Sequence, residues 1–207
     1  GDVHVRHRAL QAFHGGGLQV LDLLLAERRH RHRHVLDGLG ATPRGHGDFV
    51  QLGGLLDRAF EPGRQQRTAY KVREGMDWLP TLSFAALDSD QHLVGTIQCW
   101  PVALTDPDGL AYPMILVGPV GVAPDHQDQG IGRALMASVF GALGVGEKLP
   151  LVLLGDPEYY GTRFGFSADR TGGWTLPGPY EQHRLLALVR PDLPIPERGM
   201  LGPWRMI

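Results

Sequence analysis

Between residues 112 and 143 the chain passes from a continuous apolar run, through a short polar loop, into a helically periodic segment. This passage constrains the fold more than any other. The run at 112–122 is apolar without alternation, the pattern of a strand buried on both faces. Beyond the loop, Ile131, Ala134, Leu135, Ser138, Val139, Ala142 and Leu143 fall on one helical face. The opening of that helix holds Gly130 and Gly132. Free N–H groups in such a turn, with the helix dipole behind them, attract a phosphate. The two glycines remove the β-carbons that would hold a diphosphate away. A Gly-x-Gly before a helix is also the mark of a tight turn with close helix packing, so the turn alone leaves both readings open.

The flanking sequence supplies the rest of a domain. Asp48 has the chemistry of an N-cap, and Phe49, Leu52, Leu56 and Phe60 follow at helical spacing up to Pro62-Gly63. A second short helix is predicted over 68–74, closed by Gly75. Residues 82–87 and 93–102 are β-type runs, and the polar stretch 88–91 between them predicts a hairpin. Asp106-Pro107-Asp108-Gly109 is a turn leading into the apolar strand. Downstream come a buried strand at 151–154, one or two helical turns at 158–163, and a final strand at 185–189. The order helix, helix, three strands, helix, strand, short helix, strand predicts an α+β domain around one mixed sheet.

Charge divides the chain. Residues 1–47 carry 7 of the 10 histidines and 7 arginines against Asp2, Asp22, Glu27 and Asp37, about +3, which leaves the remainder at −5 for a net charge of −2. We therefore read 1–47 as an atypical His/Arg-rich extension, partly disordered, and 48–207 as the domain. Within the extension, 18–25 is apolar and could form a short helix. His30, His32 and His34 admit two readings, a metal site or a solvated basic stretch; the intervening arginines favour the second, and no metal is expected. The net charge argues against nucleic-acid or anionic-membrane partners. The apolar runs fall far short of a bilayer span, and no basic-then-apolar secretion pattern opens the chain. The single cysteine, Cys99, precludes an internal disulfide and suits a reducing compartment. A soluble, cytoplasmic protein is expected, monomeric or homodimeric.

Gln127-Asp128-Gln129-Gly130-Ile131-Gly132, directly after an apolar strand ending Val122-Ala123-Pro124, resembles motif A of the GNAT (Gcn5-related N-acetyltransferase) superfamily. A second match lies downstream. Residues 151–154, then Gly155-Asp156-Pro157-Glu158-Tyr159-Tyr160 and Arg163-Phe164-Gly165-Phe166, are similar to the strand, short helix and Gly-Phe ending of the same superfamily. They are most like a bacterial subgroup with Gly-Asp-x-x-Tyr-Tyr…Arg-Phe-Gly-Phe. The 55–60 helix and the 94–97 strand fit as well, so the resemblance covers about residues 48–190. It implies a GNAT-like mixed, mostly antiparallel sheet flanked by helices, with a V-shaped splay between the strands at 112–122 and 151–154.

The resemblance also implies roles. Acetyl-CoA would be the acyl-donor cosubstrate, its pyrophosphate on the backbone of Gln127, Asp128, Gln129, Gly130, Ile131 and Gly132, with Arg133 adding charge. Val120, Gly121 and Val122 would meet the pantetheine and thioester, the Val122 amide serving the developing oxyanion. Tyr160 matches the acid that protonates the departing thiolate, with Tyr159 as its neighbour; packing against the cofactor is the other reading of either tyrosine.

The resemblance leaves the base open. No carboxylate lies on 114–122, so Glu158, Asp156, His126, His183 and a water chain are the candidates. Cys99 is expected to be a buried free thiol, with direct transfer rather than an acyl-enzyme.

Two features depart from the family. Residues 38–45 do not read as the strand that precedes its first helix, and the Tyr159–Phe164 spacing is one residue longer than usual. The implied activity is N-acetylation of a primary amine on a small molecule or peptide; a weak or inactive CoA-binding regulatory domain stands as the alternative. A nucleotide-binding reading lacks the lysine and third glycine its motifs require. By the same resemblance, acceptor contacts would come from 61–78 and 172–183. Arg64, Arg67, Lys71 and Arg73 there could meet an anionic group or form a solvated helix face, while Trp174 and Tyr180 line a pocket or cover the sheet.

Overall fold

The computed structural model describes residues 19–22, 47–60, 63–143 and 149–204. His30, His32, His34 and the 38–45 stretch lie outside them. The described elements are β1 (Gln19–Asp22), α1 (Gly47–Ala59), α2 (Thr68–Val72), β2 (Phe84–Leu87), β3 (Leu93–Thr105), β4 (Ala111–Val122), α3 (Ile131–Leu143), β5 (Leu151–Leu154), α4 (Pro157–Phe164), β6 (Gly173–Thr175), β7 (Leu185–Leu188) and β8 (Arg198–Pro203). No helix among the described residues is long and apolar enough to cross a membrane.

All eight strands join one sheet, with the path β1-β2-β3-β4-β5-β7 and with β8 bridging β3 and β6. Pairing is antiparallel except for β4 with β5 and β6 with β8. This is the mixed, mostly antiparallel α+β sheet predicted from sequence. Both predicted hairpins close the same way. Asp88 Oδ1 accepts from the amides of Asp90 and His92, and Asp106 Oδ1 accepts from those of Asp108 and Leu110. An aspartate at the first turn position thus satisfies the amides that the chain reversal exposes.

The middle of β4, Met114 to Val117, is buried on both faces, as its unbroken apolar run predicts. Ile115 and Val117 join one core cluster with Leu135, Val139, Leu151 and Leu153. Met114 and Leu116 join the other, with Val72, Val152 and Leu201. Gly95 decides how closely α3 can lie on the sheet: a Cβ there would stand 2.7 Å from Ile131 Cγ2 and 3.2 Å from Leu135 Cδ1. Gly95→Val should destabilise the fold by about 1–3 kcal/mol through overpacking. Urea unfolding measures it, and an unchanged midpoint would contradict this packing.

Three expectations are corrected. Residues 18–25 do not form a helix at their centre: Gln19–Asp22 is a strand, pairing with β2 from Gln19 opposite Leu87 to Asp22 opposite Phe84. A short apolar run cannot be assigned by periodicity alone. The sheet does have a strand ahead of its first helix, earlier in the chain than the family pattern led us to look. The strand at 185–188 is not the last, since β8 follows and pairs with the distal half of β3 from Val102 to Thr105. β2 occupies the same side of β3 over its first half, so β8 continues the sheet where β2 stops. Arg-Gly-Met-Leu-Gly-Pro has too little β character to be seen without its partner.

Candidate active site

The site opens where two parallel strands part. β4 and β5 pair at Ile115 with Leu151 and at Leu116 with Val152, after which β4 runs on to Val122 with no strand partner on that side among the described residues. What faces the gap is set by a bulge. The register against β3 shifts between Ile97 and Cys99, opposite Val120 and Val117, so Gly118 and Pro119 together face Gln98. Gly118, at φ 130°, has the backbone that glycine tolerates. Before the bulge the Ile115 amide points toward β5, donating to Pro150 O at 2.9 Å; after it the Ala123 amide points toward β3, donating to Val94 O at 2.8 Å. Amide direction alternates along a strand. The Gly121 amide therefore faces β3, while those of Val120 and Val122 turn into the gap. Gly121 meets a different need: a Cβ there would lie 2.9 Å from Leu56 Cδ2 on α1.

β4 feeds the glycine turn through a 3-10 turn at Pro124–His126. Asp128 (φ 63°) and Gly130 (φ 80°) are both left-handed, which bends the chain into the start of α3. The first α-type bond of that helix is Ala134 N–H to Gly130 O at 3.0 Å, so the amides of Ile131, Gly132 and Arg133 have no acceptor within it. Gln127, Asp128, Gln129 and Gly130 are exposed, whereas Ile131 buries its side chain in the core and offers only backbone. A Cβ on Gly132 would lie 3.5 Å from the Tyr159 hydroxyl and 3.9 Å from Val122 Cγ2, in the groove that all three residues line. The Arg133 guanidinium borders Gly130, and Arg163 lies over the Tyr159 ring at 4.9 Å. Arg163, not singled out from the sequence, thus joins Arg133 as a second cation on this groove.

α4 positions the two tyrosines. Asp156 caps it, accepting from the amides of Glu158 and Tyr159; Pro157 begins it, and Gly165 at φ 76° ends it. Tyr159 turns its hydroxyl to the glycine turn. Tyr160 lays its ring over Gly155, where a Cβ would come within 2.4 Å of it, and packs near Phe164 and Phe166. Burial first, and the neighbouring Tyr159 second, push the Tyr160 phenol up to about 12.

A second cavity of about 740 Å³ lies across β4 from the glycine turn, walled by α2, the β4 bulge and the 179–184 loop. The groove and this cavity share Phe60, Val120 and Tyr160, so Tyr160 stands where they meet while Tyr159 lines only the groove.

The base candidates scatter. Asp156 is spent on capping, Glu158 is exposed outside both concavities, His126 lines the glycine-turn side, and His183 is exposed beside Glu181 at 3.4 Å. Glu181, missed in the sequence, is the one carboxylate lining the cavity among the described residues. Cys99 lines neither concavity, and burial pushes its thiol up to about 12.

The basic stretch before β2 is not simply a solvated helix face. Arg67 and Lys71 are exposed, but Arg64 and Arg73 are buried. Trp174 covers the sheet, donating Nε1–H to Pro196 O at 3.0 Å, and Tyr180 lines the cavity.

A mixed sheet whose central strands part beside a glycine turn, with Tyr160 at the fork, is the arrangement that the sequence resemblance implies. The family model described as an acetyltransferase (GNAT) domain matches residues 44–168, more than half of the chain, and the chain belongs to that family. Among solved structures, it resembles the GNAT family N-acetyltransferase YhbS from Escherichia coli in complex with CoA. Identity is 21%, coverage 83% of this chain and 94% of that one, and the TM-score 0.57. A GNAT family acetyltransferase from Brucella melitensis in complex with acetyl-CoA aligns at 23% identity over 91% and 96% of the two chains, with a TM-score of 0.53. No curated protein sequence matches the chain.

Proposed function

We propose that the protein is an N-acetyltransferase that moves the acetyl group of acetyl-CoA directly onto an amine. The observation carrying this reading is the meeting of the groove at the glycine turn and a second cavity at Val120 and Tyr160. We take 48–207 as the acetyltransferase domain, with β1 from the preceding segment completing its sheet edge.

The residues of the groove fit coenzyme A. The unpaired amides at the start of α3, with Arg133 and Arg163 beside them, would hold its pyrophosphate, and a Cβ at Gly132 would lie in that groove. The Val120 amide, turned into the gap, would bind the pantetheine. When bound, acetyl-CoA supplies an acetyl thioester: the amine nitrogen bonds to the carbonyl carbon, the C–S bond breaks, and CoA leaves as the thiol. The Val122 amide donates toward the carbonyl oxygen as negative charge builds there. Tyr160 Oη gives the proton that leaves on sulfur. The proton lost by the amine passes to water or to Glu181.

Amine-stimulated thiol release across a broad amine panel tests the proposal. Tight acetyl-CoA binding with no release from any amine would defeat it and favour the regulatory reading, whose support is the lack of a carboxylate on β4. The pH dependence is a sharper check. Tyr160 acts in its neutral form, and burial raises its pKa to about 12, so deprotonation of the acid removes activity only above the ordinary phenol range. The rate should rise with pH as the amine loses its proton and show no falling limb below about pH 10, the unperturbed phenol value. A falling limb near neutrality that vanishes in Tyr160→Phe would contradict the assignment.

A further inference from the structure

The two buried arginines of the acceptor cavity differ in a way that points to the substrate. Arg64 is closed: its Nε donates to Asp57 Oδ1 at 2.6 Å, Nη1 to the Tyr70 hydroxyl, and Nη2 to Gly53 O at 3.4 Å. Arg73 is more deeply buried, at 5% relative exposure, and has no carboxylate facing it among the described residues. Its guanidinium lies 4.0 Å from the centroid of the Tyr70 ring and 4.1 Å from that of Trp100. Nη1 donates to Gly118 O at 3.0 Å; the Tyr70 phenol is its other polar neighbour, and Arg64 stands near it as a like charge. A guanidinium offers five N–H donors in a planar fork, and a buried cation without a counterion is costly. Burial lowers its pKa to about 10, still fully cationic at neutral pH. The surroundings repeat the sign: Arg67 and Arg184 also line the cavity, against Glu181 alone.

We infer that Arg73 is the acceptor-binding group of this site, and that the acceptor is an amine carrying a carboxylate, which pairs with the open side of the Arg73 fork. The aromatic rings of Tyr70 and Trp100 fix the plane of the fork, and the bond to Gly118 O ties it to the β4 bulge. Gly118 and Val120 both line the cavity, two residues apart on β4. The carboxylate is thereby held a short distance from the carbon to be attacked, which favours a compact amino acid over an amine remote from its acid group.

This inference rests on the acetyltransferase reading, so its test has two arms. In the first, kcat/KM is compared within matched pairs: β-alanine with ethylamine, phenylalanine with phenethylamine, and O-phosphoethanolamine with ethanolamine. The carboxylated member should be favoured by at least about ten-fold, the scale of one charge-assisted bidentate contact. Arg73→Lys should remove most of that preference, the loss falling on the carboxylated member well beyond any loss for its carboxyl-free partner. A larger gain for the phosphate pair than for the carboxylate pairs would overturn the carboxylate assignment. Equal rates within pairs, or an equal loss for both members in the variant, would reduce Arg73 to a support of the bulge.

The second arm needs no turnover. Propionate is titrated into the CoA-saturated wild-type protein and followed by tryptophan fluorescence, since Trp100 lies against the guanidinium. A saturable response weakened at least about ten-fold in Arg73→Lys supports the site even if no amine is acetylated; no saturable response in the wild-type protein overturns it. Loss of turnover with this response intact would count against the acetyltransferase reading alone.

Discussion

Tyr160→Phe should lower kcat for amine acetylation by about 10²–10⁴-fold, the range expected on losing a positioned general acid. Acetyl-CoA affinity should stay near the wild-type value. The substitution removes only Oη, and the ring keeps its seat over Gly155 and its contacts with Phe164 and Phe166. Among the described residues the hydroxyl is the one acidic group at the junction of the two concavities, and burial keeps its proton in place through the working pH range. Tyr159→Phe is the internal contrast. Its hydroxyl points at Gly132, so its loss should raise the KM for acetyl-CoA and spare kcat. Steady-state thiol release paired with calorimetry of CoA binding separates the two. A Tyr160→Phe enzyme within a few-fold of wild-type kcat would remove Tyr160 from the mechanism.

Gly130→Val should weaken acetyl-CoA binding by about two orders of magnitude without unfolding the protein. Gly130 is exposed at φ 80°, and a β-branched residue held in the left-handed region costs about 1–3 kcal/mol. The chain can escape that strain only by opening the turn, which scatters the amides ahead of Ala134. Gly132→Ala should be milder, since its Cβ would make ordinary contacts at 3.5 Å and beyond. Pantetheine, which lacks the pyrophosphate, provides the control: on the proposed reading it is held by β4 amides, so its binding should be unchanged in Gly130→Val. Equal losses for pantetheine and acetyl-CoA would mean that the substitution disturbs more than the cradle.

Local chemistry made much of this fold readable. The glycine turn, both aspartate-closed hairpins, the apolar β4 and the proline-to-glycine bounds of α4 are each fixed by residues adjacent in sequence. What escaped depends on distant partners. β1, β6 and β8 are three to six residues long, and β8 exists as a strand through pairing with Val102–Thr105 and β6. Met136, absent from the predicted helical face, is buried, while Ala142, included in it, is exposed.

The site divides along the same line. The sequence pointed to the cradle and the tyrosine pair, and the fold brings these together around one groove. It did not reveal which amides of β4 face outward, because one extra residue in a bulge reverses the alternation and sequence alone does not register it. It also treated Arg64, Arg67, Lys71 and Arg73 alike. Only tertiary packing separates Arg64, closed by Asp57, from Arg73, stacked between Tyr70 and Trp100. Glu181 was passed over because it sits in a loop with no motif of its own.

The parting of β4 from β5 gives the sheet an edge in its own interior. Most sheets end at their margins, where an unpaired strand is a hazard to be covered. Here the unpaired length belongs to a central strand, and on the proposed reading its cover would be a ligand lying in the gap as another strand would. The ligand then counts as structure as well as substrate. Saturation at one hundred times the dissociation constant adds about 2.7 kcal/mol to the folded state. On the proposed acetyltransferase reading, the interior of this sheet would be completed and vacated once in every catalytic cycle.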